Sequence, residues 1–191
     1  MIPRLVIASK NKDKIAEIEA VLTEAGLADA VVRGLDWPEV DETGATLEEN
    51  ALLKARSVAG FTGLPALGDD TGLEVVALAG RPGVHTARYA GESATYEENY
   101  TKLLGDLNGI DDRRAWFRTV VALVFPDGSE VVASGQIDGV ITREPRGESG
   151  FGYDPVFEVD GFTFSEMADG EKNSMSHRAR ALRALLAQSG L

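Results

Sequence analysis

No cysteine occurs in the chain, which excludes disulfides, thiolate nucleophiles and Cys-ligated zinc. Histidine is scarce: His85 and His177 are the only two, so a zinc site built on several imidazoles is not available. Long apolar runs are missing as well. The first, Leu5 to Ala8 just after Arg4, is far too short for a membrane span or the apolar stretch of a secretory leader, and a cytoplasmic location is expected. Positive charge is in deficit, with 19 Lys and Arg against 31 Asp and Glu and a net charge of −12. That balance opposes polyanions, so neither nucleic acid nor a membrane is an expected partner. A small phosphorylated ligand stays open, because it needs only a local group of cations, with metal ions offsetting other charge. There is no internal repeat, low-complexity tract or obvious linker.

What the chain does have is enough apolar material, 43% of 191 residues, to bury a core as a single domain over 1–191 or a domain with a small lobe. Leu5 to Ala8 reads as a buried strand. From Asp13 the residues Ile15, Ile18, Val21 and Leu22 recur at helical spacing until Gly26. Thr46 with Glu49, and Thr95 with Glu98, are capping boxes for two further helices. Leu64 to Leu67 and Leu73 to Val76 read as two short strands, with Asp69 and Asp70 at a strand end. Ala115 to Phe125 and Glu130 to Ile137 form a hairpin about Pro126 to Ser129, and a last helix is expected from about Ser174, its apolar face Ala179, Leu182, Leu185 and Leu186.

Four stretches could carry chemistry. Ser9, Lys10, Asn11, Lys12, Asp13 and Lys14 stand where the first strand meets the first helix. With Arg4 they give four cations against one carboxylate, a local charge of +3. Cations at a helix start suit a bound anion, although a solvated lysine turn looks the same. Asp69 and Asp70 can hold a hydrated magnesium ion and accept a proton from its water, with Asp41 and Glu42 as further oxygen donors; an acidic turn is the alternative. Ser149 to Pro155, with Phe151, Gly152, Tyr153 and Asp154, offers close backbone approach and an aromatic face for a base, yet alone it reads more readily as a structural loop. Lys172 with Ser176, His177 and Arg178 again places cations at a helix start, where a histidine is more often a cap or surface group. His85 reads as structural, Trp37 and Trp116 as bulk, and Glu17, Glu19, Glu24, Asp106, Asp111 and Asp112 as solvated charge.

In this order, the four stretches closely resemble the inosine triphosphate pyrophosphatase family along essentially the whole chain. Its opening pattern is met by Ser9, Asn11 and Lys14, its helix pattern by Glu49, Asn50, Ala51 and Lys54, and its acidic pair by Asp69 and Asp70. Its later signatures are met by Phe151 to Pro155 and by Ser176, His177 and Arg178. The resemblance implies a mixed α/β sheet flanked by helices, with a smaller lobe and a nucleotide cleft between, in a homodimer. It implies cleavage of inosine, deoxyinosine and xanthosine triphosphates to monophosphate and pyrophosphate, with magnesium. By the same resemblance Asp70 is the proton acceptor and, with Glu42, a metal ligand. Ser9 to Lys14, Lys54 and Thr71 take the phosphates, and Phe151, Gly152, Tyr153, Asp154, Lys172, His177 and Arg178 take the nucleoside. Thr71 stands where many relatives have Ser and keeps the hydroxyl; Lys10 and Asp13 stand where Gly is frequent and bear on phosphate affinity. The residue spacing does not itself choose between attack at the α- and γ-phosphate. A related pyrophosphatase for modified pyrimidine or ordinary nucleotides and a non-catalytic nucleotide sensor are the two alternatives.

Overall fold

The computed structural model describes residues 4–189, without the side chain of Ala28. In chain order its main elements begin with β1 (Val6–Ile7), α1 (Lys12–Glu24), α2 (Leu47–Thr62), β2 (Ala66–Val75), β3 (Pro82–Gly83) and α3 (Tyr96–Asp106). They continue through β4 (Arg114–Val124), β5 (Glu130–Ile141), β6 (Phe157–Val159), β7 (Phe162–Thr163), α4 (Asp169–Met175) and α5 (His177–Ser189). The strands form a seven-stranded mixed sheet in the order β1-β2-β4-β5-β6-β7, with β3 pairing with β2. The β1–β2 pair is parallel, with Val6 opposite Ala66 and Ile7 opposite Leu67. β3, β6 and β7 join by antiparallel pairing.

The helix starts are where capping chemistry puts them. Asn11 caps α1, its side chain accepting from the amides of Asp13 and Lys14, and Thr46 and Thr95 close full capping boxes with Glu49 and Glu98. Two expectations need correction. The two short strands about Asp69 and Asp70 are one strand, β2, which runs unbroken through both acids. The Gly-Asp-Asp-Thr-Gly run has turn chemistry, but partners distant in sequence compensate both carboxylates, and tertiary pairing overrides local preference. The last helix is also two. α4 ends at Met175, Ser176 is extended (φ −62°, ψ 157°), and α5 starts afresh at His177.

The contacts divide the chain into two compact units, Met1–Asp70 with Thr119–Gly135 and His177–Leu191, and Thr71–Arg118 with Gln136–Ser176. The first unit has a core of aliphatic side chains, in which Ile18, Val21 and Leu22 of α1 meet Leu182, Leu185 and Leu186 of α5 over Leu67, Val121 and Leu123. The second has an aromatic core, with the Phe117 and Phe157 rings 4.6 Å apart and those of Phe157 and Phe164 5.2 Å apart. No helix among the described residues is long and apolar enough to cross a membrane.

Candidate active site

Successive residues of a strand point to opposite faces, and this alternation gives the two adjacent acids of β2 different company in the first unit. Asp69 meets α1 and α5: its Oδ2 lies 3.3 Å from Lys14 Nζ and 3.2 Å from Arg178 Nε. Arg178, 2% exposed, also donates through Nη1 to Glu17 of α1. Asp70 meets α2. Asn50 Nδ2 donates to its Oδ2 at 3.1 Å, and Lys54 Nζ stands 3.6 Å from its Oδ1 and 3.0 Å from Glu42 Oε2. β2 and α2 come this close because residue 68 is glycine; a Cβ there would lie 2.3 Å from the Ala51 carbonyl oxygen and 2.9 Å from the Ala55 nitrogen.

These surroundings push the two acids apart in proton affinity. Burial raises the Asp69 carboxyl, but Lys14, Arg178 and Lys54 outweigh it and hold it far below the ordinary carboxylate range. Asp70 moves the other way. Burial raises it, Lys54 and Lys14 pull it down, and the nearby Glu42 charge raises it again, for a net upward shift. Lys54 loses by burial but gains more from Asp69, Asp70 and Glu42, and stays firmly protonated. A pair so divided supplies one permanent anion and one carboxylate fit to take up a proton.

In the second unit the glycine-punctuated loop is organised by Asp154. Its Oδ2 accepts from the Phe151 amide at 2.8 Å and from Lys172 Nζ at 2.5 Å, and Lys172 lies 4.8 Å from the Phe151 ring centroid and 5.6 Å from that of Phe164. Lys172 and Asp154 are both buried. The result is a desolvated ion pair under aromatic rings, with the Phe151 ring tilted 47° against Tyr96 at 5.9 Å. Tyr153 points inward and donates to the Thr86 carbonyl at 2.9 Å, and burial raises its hydroxyl well above the usual range.

The first unit thus gathers Lys14, Glu42, Lys54, Asp70 and Arg178 about Asp69. The second gathers Phe151, Asp154 and Lys172, while Thr71 follows Asp70 along β2 as that unit's first residue. The run from Ser9 to Lys14 does not act as one surface. Ser9, Lys10 and Lys12 line a pocket of about 510 Å³ beside Trp37, where Lys10 pairs with Asp36 at 3.6 Å, whereas Lys14 reaches Asp69. Asn11 and Asp13 serve the start of α1, as cap and as first-turn acid. His177 opens α5 and is buried. Two residues escaped the reading from sequence. Glu17, taken there as solvated charge, pairs with the buried Arg178; its place one helical turn after Lys14, on the same face of α1, is the signal that was there to use. Asn50 was present in a motif but without a role, and a lone amide in a helix gives no signal of what it faces.

The sequence profile of the Ham1 family matches residues 5–188. A dITP/XTP pyrophosphatase of Geobacter sulfurreducens is 49% identical over 95% of this chain and 94% of its own length. One from Nocardia farcinica is 47% identical over 96% and 93%. Among solved structures, a HAM1 protein from Coxiella burnetii superimposes with a TM-score of 0.83 at 40% identity, over 100% of this chain and 99% of that one. A nucleoside-triphosphatase / dITP/XTP pyrophosphatase from Mycobacterium abscessus gives 0.74 at 42% identity, over 97% and 99%.

Proposed function

Because the chain belongs to the Ham1 family, we propose that it hydrolyses non-standard purine nucleoside triphosphates, those of deoxyinosine, inosine and xanthosine, to the monophosphate and pyrophosphate, clearing them from the nucleotide pool. The observation that carries this reading is the division of the acidic pair: Asp69 lies between Lys14 and Arg178, at 3.3 and 3.2 Å, whereas Asp70 faces Asn50 and Lys54, the latter shared with Glu42. Water attacking a phosphorus ringed by negative oxygens needs charge neutralised and a proton removed. Asp70 takes the proton, Lys14 and Lys54 neutralise and orient phosphate oxygens, with Ser9, Lys10, Lys12 and Asp13 close to Lys14 in sequence and Thr71 next to Asp70, and the Asn11 side chain caps the helix that carries Lys14.

Glu42 and Asp70 fit magnesium. Among the described residues no three His, Cys, Asp or Glu side chains gather into a cage, but magnesium takes one or two carboxylates and completes its shell with water and phosphate oxygens. When bound there, the ion supplies charge neutralisation and polarises the phosphate. The family resemblance assigns the nucleoside to the second unit's Phe151, Gly152, Tyr153, Asp154 and Lys172; His177 and Arg178, expected to join them, belong to the first unit, where both are buried and Arg178 pairs with Asp69 and Glu17. Hypoxanthine and xanthine present a 6-oxo acceptor where adenine presents an amino donor, so fixed donors favour the first and leave an unpaired clash with the second. The cysteine-free sequence suits a reducing, cytoplasmic setting, and the family resemblance supports a homodimer.

Turnover by the purified protein tests the proposal. With magnesium present, inosine and xanthosine triphosphates are expected to yield pyrophosphate well ahead of adenosine triphosphate, and Asp70→Asn is expected to lower kcat by at least about 10²-fold while keeping the fold. Binding without turnover, or Asp70→Asn keeping more than about a tenth of wild-type kcat, overturns it.

A further inference from the structure

Both ends of the Asn50 carboxamide are engaged, and each end holds a different part of the site. Its Nδ2 donates to Asp70 Oδ2 at 3.1 Å, and its Oδ1 accepts from the Gly44 amide at 2.8 Å. The side chain is 1% exposed, so water does not compete for either contact. Gly44 lies in the loop that leads from Asp41 and Glu42 into α2, and that loop has no helix or strand of its own. The loop approaches Asn50 as closely as a backbone can. A Cβ on residue 44 would stand 2.6 Å from Asn50 Oδ1 and 2.6 Å from the Glu49 side chain.

We propose that Asn50 is a positioning residue, one buried amide that fixes the Asp70 carboxylate to the loop carrying Glu42. An amide suits this task because it has a donor and an acceptor on one rigid plane. By occupying Oδ2 from the α2 side, Asn50 sets the rotation of the carboxylate and leaves Oδ1 directed at Lys54. By accepting from Gly44, it sets the height of the loop and so the reach of Glu42. The two contacts of its carboxamide are with Asp70 and the Gly44 amide, so it acts through Asp70 and the loop of Glu42. The inference rests on the assignment of Asp70 as the proton acceptor.

Three variants test it: Asn50→Ala removes both contacts, Asn50→Asp keeps the acceptor for Gly44 but turns an oxygen towards Asp70, and Gly44→Ala displaces the amide from the loop side without changing any charge. Each is expected to lower kcat for inosine triphosphate about 10- to 100-fold, as loss of a supporting hydrogen bond does at such sites, with KM changed less than about threefold. Retention of kcat within about threefold by Asn50→Asp or Gly44→Ala, or a loss carried by KM, overturns the proposal. Urea unfolding of Asn50→Ala, Asp70→Ala and the double variant reads the contact without turnover; non-additive losses are expected, and additive losses overturn it. A wild-type protein inert towards inosine triphosphate removes the functional reading, whereas the unfolding cycle still decides the contact.

Discussion

Asp69 and Asp70 are neighbours with opposite duties, and substitution should separate them. Asp69→Asn leaves Arg178 buried with one carboxylate instead of two, and breaking a buried pair from one side costs roughly 3–5 kcal/mol. It is therefore expected to lower the urea midpoint strongly, unlike Asp70→Asn. The pH dependence has a definite sign. The folded carboxyl of Asp69 titrates below its unfolded range, near pH 3.9, so its ion pairs stabilise fully above about pH 4 and that stability is lost as pH falls through the lowered value. Wild type is expected to lose urea resistance more steeply than Asp69→Asn on going from about pH 6 to about pH 3; parallel losses would show that Asp69 is not held as an anion. Arg178→Ala removes a counter-charge from Glu17 and from Asp69, which keeps Lys14, so its kinetics carry meaning only beside its unfolding curve. The acids, lysines and aromatics of this site stand out in sequence as residue types suited to phosphates and bases, but each stretch alone also reads as a turn or loop, and only their joint order, through the family resemblance, gives them roles. Glu17 is set apart only by its place one turn after Lys14, and that local signal does not name a partner 161 positions away.

Among the elements, what could be read were the helix starts, which local capping decides, and the apolar faces of α1 and α5. The unbroken course of β2 was hidden, because its acids look like a turn until Lys14, Asn50, Lys54 and Arg178 are brought to them. Two predictions belong here. Gly68→Ala forces β2 off α2 against backbone atoms rather than a yielding side chain. It is expected to cost at least the roughly 1–3 kcal/mol of core overpacking and to lower kcat by moving Asp70 from Asn50 and Lys54; unchanged melting and turnover would contradict the close contact. Lys14→Ala on α1 is expected to weaken triphosphate binding more than monophosphate binding, since the lost cation is assigned to the polyphosphate. Calorimetry with both ligands checks this, and equal losses would make Lys14 purely a partner of Asp69.

For the molecule as a whole, three of the four unit boundaries, at 70/71, 118/119 and 135/136, fall inside β2, β4 and β5, and the fourth, at 176/177, falls where α4 gives way to α5. Neither unit is a continuous segment, and the strands belong to both, so unfolding is expected to be one cooperative event. The two tryptophans make this measurable, as Trp37 lies in the first unit and Trp116 in the second. In Trp37→Phe and Trp116→Phe, corrected for each variant's own stability by circular dichroism, fluorescence and helix signal should share one urea midpoint; separate midpoints would show units that melt independently. Such an arrangement also has a direction in time. A chain made from its N-terminus presents Glu17 and Asp69 first, whereas Arg178, with the apolar face of α5, follows 161 residues after Glu17 and 109 after Asp69. Until α5 emerges the nascent protein therefore holds two acids without their arginine and an α1 without its packing partner, and the first unit can close only then.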